Sequence, residues 1–198
     1  MSQTQNEVKE IVENWIDNKI NNIHTALSGK IISYNSSNNR ATVQPSGVYK
    51  ANDYREFSYP LIYNVPVVFP TGLNGGAGVT FPITGGDGCL IIFSEKQLDD
   101  FINNNNNSED LRTHSLNDAI CIPGLYTNAT QSNIKNPDCL CLFNGNSILK
   151  LNSNSLTGNI GGTTLNIGGG DLVVNGISLV NHVHGGVQPG GSSTSKPQ

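Results

Sequence analysis

Apolar residues early in the chain recur at steps of three and four. Val8, Ile11, Val12, Trp15, Ile16, Ile20, Ile23 and Leu27 line one face of a helix over residues 4–27. Thr4 with Glu7 three positions on has the form of a capping box, and Ser28-Gly29 supplies a stop signal. Such a stripe has to be covered. Packing against the chain's own domain is the expectation, with sister copies in an oligomer as the alternative.

Past residue 28 the pattern turns from helical to extended. GKIISYN (29–35) and RATVQPS (40–46) are strand-like runs separated by the turn-rich Asn35-Ser36-Ser37-Asn38-Asn39. SYPLIYNVPVVFP is extended too, and Pro60, Pro66 and Pro70 suit it to an edge or bent strand. Two strands, Gly78–Ile83 and Gly88–Phe93, are predicted around Gly-Gly-Asp-Gly, followed by a short helix in EKQLDDFINN and a solvated NNNNNSED loop. DAICIPG and DCLCLFNG close the region as two more strands. About five strands and one helix over residues 28–145 fit a small OB-type β-barrel, with an SH3-like barrel or an irregular sandwich as alternatives.

Near Asn146 the pattern shifts again. Over residues 146–180 aromatics vanish, and Leu149/Leu151, Leu165/Ile167 and Ile177/Leu179 alternate in bursts punctuated by Asn and Gly. A stretch of ~35 residues cannot bury enough surface alone. A disordered linker would leave the regular alternation without purpose. The expectation is therefore that strands from several chains wrap a common axis, pooling their apolar residues into one core.

Composition narrows the function. Only 36% of the 198 residues are hydrophobic and 13% are charged, and no run approaches the ~18 apolar residues of a spanning helix. The net charge of −4 offers no basic stripe for phosphates, so no nucleic acid is expected as a partner. The opening MSQTQNEVKEIVENW is acidic and amphipathic, unlike a secretory signal. Cys89, Cys121, Cys139 and Cys141 fit neither a disulfide framework nor a CxxC knuckle. Cys139 and Cys141 share a strand face as half of a metal site at most, and small buried hydrophobes is the reading we adopt for all four.

Candidate chemistry concentrates near the end, in Asn181-His182-Val183-His184-Gly185-Gly186. On an extended strand His182 and His184 point the same way, with Cα atoms about 6.5–7 Å apart. One chain supplies only two nitrogens, but three chains on a threefold axis supply six, an octahedral set better suited to Fe or Ni than to zinc or calcium. The alternative is two exposed polar residues before a flexible tail. His24, on the expected helix, and His114, in a polar loop, have no suitable co-ligand nearby in sequence. No GxSxG, HExxH, P-loop or GxGxxG pattern occurs in a strand–helix setting, and Asp99-Asp100 falls on a short exposed helix. The glycine clusters at 75–78 and 85–88 read as turns. No catalytic residue is assigned, and the protein is not expected to be an enzyme.

The ending HVHGGVQPGGSSTSKP resembles the tip of the central spike proteins of contractile phage tails and tailocins. GGDGCLIIFSEKQLDDF followed by LRTHSLNDAICIPGL is similar to the body of their smaller, enzyme-free, membrane-puncturing members. The resemblance covers about residues 28–198. After the N-terminal helix (1–27) read from the spacing above, it implies a mainly β homotrimer: an OB-type collar (28–145) facing the tail hub of the baseplate, an intertwined trimeric β-helix (146–180) and a pointed metal-binding apex (181–198). Carried onto this chain, the iron ligands fall on His182 and His184, three copies of each around one Fe ion. Thr194-Ser195-Lys196-Pro197 departs from the Thr-Gly-x-Pro of the family ending. The function implied is piercing of the target bacterial outer membrane during tail contraction, by a virion or tailocin component made in the host cytoplasm without a signal peptide. Acid or a chelator would then loosen the tip before the collar, since metal binding needs neutral imidazole. Two rivals are a trimeric fibre or adhesin that binds a surface glycan, and a wall-degrading tail hydrolase. Residues 145–198 contain no Phe, Tyr or Trp to stack on a sugar, and no segment accommodates a lysozyme-like insert.

Overall fold

Helix α1 runs from Gln3 to Asn21 in a computed structural model that describes residues 3–21, 23–50, 55–105, 110–131, 138–186 and 190–191. It ends six residues before the expected boundary, because Ala26–Asn35 forms strand β1, hydrogen-bonded to a neighbour on each side. Two flanking ladders outweigh one more turn of exposed helix. Leu27 consequently packs against the barrel core, and Ser28-Gly29 lies inside a strand rather than at a helix stop. Gly29 is needed there for closeness: a Cβ would come within 2.6 Å of Ile91 Cδ1 and 2.8 Å of the Gln44 carbonyl oxygen. The expected capping box rests on the Thr4 side chain, which is outside the described residues. The chain's own domain does not cover the α1 stripe, contrary to expectation. Val8, Ile11, Val12, Trp15, Ile16 and Ile20 are between 45% and 68% exposed.

Two compact units follow from the chain contacts, Met1–Ala129 and Thr130–Gln198. In the first, β1 is followed by β2 (Arg40–Pro45), β3 (Val48–Lys50), β4 (Glu56–Ser58), β5 (Ile62–Pro66), β6 (Thr71–Gly72), β7 (Ala77–Gly78), β8 (Gly88–Phe93), α2 (Asp99–Ile102) and β9 (Ala119–Pro123). Five of them form a curved half-barrel sheet in the order β5-β2-β1-β8-β9, antiparallel throughout. Beyond β5 the chain meets the far edge strand: Val67 makes a parallel bridge to Cys121, and the Val68 N–H donates to the Cys121 carbonyl at 2.9 Å. Period-two alternation turns Ala41 and Val43 of β2 and Cys89, Ile91 and Phe93 of β8 inward, onto Ile31, Val65 and Cys121. The strand predicted for Gly78–Ile83 shrinks to β7, paired only with β6. Pro82 has no N–H to give a ladder there.

The excursion between β8 and β9 is pinned by one buried carboxylate. Asp118, 1% exposed, accepts from the Leu98 N–H at 2.8 Å and from Arg112 Nε at 2.8 Å and Nη2 at 3.0 Å. Arg112 also holds Asp99 at 2.7 Å and Asp110. No sequence motif announced this network.

DCLCLFNG does not join the barrel. Its Leu140–Asn144 (β10) opens a second sheet with β11 (Ser147–Leu151), β12 (Ser155–Ile160), β13 (Thr163–Gly168), β14 (Asp171–Val174) and β15 (Ile177–Ser178). The six pair antiparallel in chain order. Tight turns make this possible: Asn175-Gly176 and Gly169-Gly170 have positive φ at both central positions, the geometry that matches strand twist. The register puts apolar side chains in two ribs across one face. Leu140, Leu151, Leu156, Ile167 and Leu172 are successive partners in one, and Leu142, Leu149, Gly158, Leu165 and Val174 in the other. Gly158 makes room for its neighbour, since a Cβ would lie 2.7 Å from Leu149 Cδ2. The opposite face is mixed, carrying Lys150, Thr157, Asn159 and Asn166 together with Cys141, Phe143, Ile148 and Val173. Despite the two ribs, no described residue of the second unit is buried. A single sheet has nothing to bury its apolar face against.

Among the described residues no helix is long and apolar enough to cross a membrane.

Candidate metal centre

The end of the second sheet is shaped by Asp171, the first residue of β14. Its Oδ1 accepts from the Leu172 N–H at 2.7 Å and the Val180 N–H at 3.2 Å, so the carboxylate ties the chain after β15 back to β14. The Ser178 hydroxyl is the strongest influence on Asp171. Desolvation opposes it, but with the N–H groups of Val180, Leu172 and Leu179 the hydroxyl holds this carboxyl below its ordinary range. Leu179 N–H donates to the Leu172 carbonyl at 2.8 Å and Asn181 N–H to Ser178 Oγ at 2.8 Å. The chain therefore enters the histidine motif from a fixed turn.

His182 is oriented by backbone carbonyls. Its Nδ1 lies 2.8 Å from the Ser178 oxygen and 3.2 Å from the Leu179 oxygen. A carbonyl only accepts, so Nδ1 carries the proton, and in the neutral ring the lone pair falls on Nε2. A carbonyl on the distal nitrogen is the usual support of a metal-binding imidazole. The His184 ring stands edge-on to it, with centroids 5.1 Å apart and planes at 77°. The two residues follow a turn rather than continue a strand, so the period-two alternation expected for an extended strand does not account for the nearness of their rings. Both are exposed.

This donor set fits a metal as half or less of a shell. Among the described residues of one chain no group of three or more His, Cys, Asp or Glu can hold an ion. Two imidazoles from one chain do not complete a four- or six-ligand shell. Asp171 and Ser178, which set the turn, were not picked out by sequence reasoning. The signal available was an Asp directly after a Gly-Gly pair, the position from which a carboxylate reaches its own neighbouring N–H groups. Replacing Asp171 by Ala is expected to weaken metal retention about tenfold, the range seen when outer-shell support is lost. Competition with a chromophoric chelator measures this. The His182–Leu179 turn should also lose amide protection.

The other candidate residues do not converge. His24 lies between α1 and β1 rather than on the helix, because the helix ends early. Its ring is 5.5 Å from Phe93 and 6.2 Å from Tyr59, and burial pushes its pKa down. His114 has φ 49°, and its Nδ1 is buried without a partner. Cys89 and Cys121 are wholly buried. The Cys89 thiol and burial together push Cys121 up, so it stays a protonated, inert thiol. Cys139 and Cys141, in contrast to the reading as buried hydrophobes, are half-buried. None of the four forms a disulfide.

Residues 27–124 match the family described as the phage protein Gp138 N-terminal domain, and residues 176–198 match the GpV Apex motif. The first spans the half-barrel, and the second begins at the Asn175-Gly176 turn before β15 and includes His182 and His184. Thr194-Ser195-Lys196-Pro197 falls in the second match but lies outside the described residues. No curated protein matches the chain.

Proposed function

We propose, because the chain belongs to the phage central spike (gpV-like) family, that three copies form a non-enzymatic baseplate spike that pierces the target outer membrane. The observation that carries this reading is the uncovered apolar face of β10–β15. Burying a Leu or Ile side chain stabilises by about 1.5–3 kcal/mol, and the two ribs bring nine Leu, Ile and Val side chains to this face. Three such sheets turned inward around one axis give each its missing cover. The product is a three-walled spindle whose chains share one core, which slows unfolding under load.

At the collar, the strand order β5-β2-β1-β8-β9 and the parallel Val67–Cys121 bridge between its outer members support an OB-type barrel. This end would face the tail hub. At the tip, His182 and His184 of three copies would supply six imidazole nitrogens for an iron ion. A bound iron would cross-link the three chains where the spindle is too narrow for a hydrophobic core. His182 contributes a pre-oriented Nε2, and the Asp171 turn holds it in place. In this reading the protein is a particle component, in a virion or a tailocin.

Elemental analysis joined to native mass spectrometry tests the proposal. The expected result is a mass of three chains with about one iron per three chains. A monomer in solution would overturn it.

A further inference from the structure

The α1 stripe is a second uncovered apolar surface, far in sequence from the first. Positions 8, 12, 15 and 19 run along its centre, with Ile11, Ile16 and Ile20 flanking. The six exposed apolar side chains present roughly 600 Å² per copy, against the ~800 Å² per partner of a standard interface. Alone, this helix would be marginal: it is 19 residues long, and its β-branched residues and asparagines are weak helix formers. Its cover must therefore be present whenever the chain is folded.

We propose that the α1 helices of three copies pack on one another as a parallel bundle at the collar end. This rests on the trimer proposed above. Sister helices meet the requirement of constant cover because a shared spindle tethers them at an effective concentration in the ~mM range. The charges agree. Glu7, Glu10, Glu13 and Asp17 against Lys9 and Lys19 make the helix acidic, which disfavours an anionic membrane surface as the occupant. Lys9 pairs with Glu13 at 3.6 Å on its own helix, so the flank is internally balanced. Lys19 is the one polar residue on the centre line. It sits in the last turn with its Nζ 5.7 Å from the Trp15 ring centroid, where its stem can pack while the ammonium reaches water. A single Lys at a seam position fixes register.

Two measurements on the full chain test this. An amine-reactive cross-linker should join two copies of the Lys19-bearing peptide, a link that only different chains can make. Trp15 is the sole tryptophan, so emission reports on this helix alone. It should be blue-shifted and several-fold less quenched by acrylamide than in an Ile11→Glu, Ile16→Glu variant that keeps the three-chain mass. A three-chain mass with no homotypic link and a freely quenched Trp15 overturns the bundle and leaves the spike reading standing. A protected Trp15 without the link places the stripe elsewhere and overturns it as well. A one-chain mass removes the trimer itself.

Discussion

Replacing His182 and His184 together by Ala is expected to abolish iron retention while leaving the three-chain assembly intact. The two roles are separable because they rest on different atoms. In the proposed trimer, assembly would rest on the ribs of Leu, Ile and Val across β10–β14, and the metal on two imidazoles beyond β15. Structural metal sites in small peptides contribute on the order of 10–16 kcal/mol of apparent binding free energy. Backbone and Asp171 hydrogen bonds hold residues 179–182, whereas the exposed residues 183–186 have little besides the metal to order them. Amide protection over residues 183–186 should therefore collapse in the double variant, with protection in β11–β13 nearly unchanged. A strong chelator acting on the unmodified protein should reproduce the pattern. His184→Ala alone would remove three of the six nitrogens of the proposed site and should fall between. Retention of iron at the original stoichiometry in the double variant would show that other groups hold the ion.

The second large effect lies in the collar. Asp118→Ala is expected to destabilise it by about 3 kcal/mol, toward the lower end of the range for breaking a buried ion pair, because Arg112 keeps Asp99 and Asp110. For a domain of this size that shifts the thermal midpoint down by roughly 10–20 °C. Asp99→Ala, at an exposed partner, should cost no more than about 1 kcal/mol. The clamp also sets an acid limit. Burial by itself pushes the Asp118 pKa up, but the Arg112 hydrogen bond, the Leu98 N–H and the Arg112 charge together hold it below the ordinary carboxylate range. A lowered folded pKa means the contribution is complete above about pH 4, the unfolded value, and is lost as pH falls through the folded one. Thermal midpoints measured from pH 6 down to pH 2 should show this loss in the unmodified protein and a flatter profile in Asp118→Asn.

Much of the barrel was legible because its strands alternate cleanly. RATVQP and GCLIIF turn every second residue inward, and tight turns separate them from their neighbours. The errors have a common cause. Leu27 continues a helical pattern locally, yet it lies in β1 because β8 supplies a ladder partner from far along the chain, Ile91. DCLCLFNG reads as a strand wherever it is placed. Its partner is β11 across the Gly145 turn, and nothing in its own few residues separates that choice from a barrel edge. The Asp118–Arg112 clamp was invisible for the same reason, since a charged pair six residues apart in a loop looks solvated until the fold closes over it.

The sequence alone determined the element types, the turns and the paired imidazoles, since all depend on residues within a few positions of each other. Tertiary structure decided where α1 yields to β1, which sheet receives β10, which carboxylate is buried, and which apolar faces remain uncovered. These depend on the free energy of pairing and burial summed over distant segments, a quantity that no local window contains.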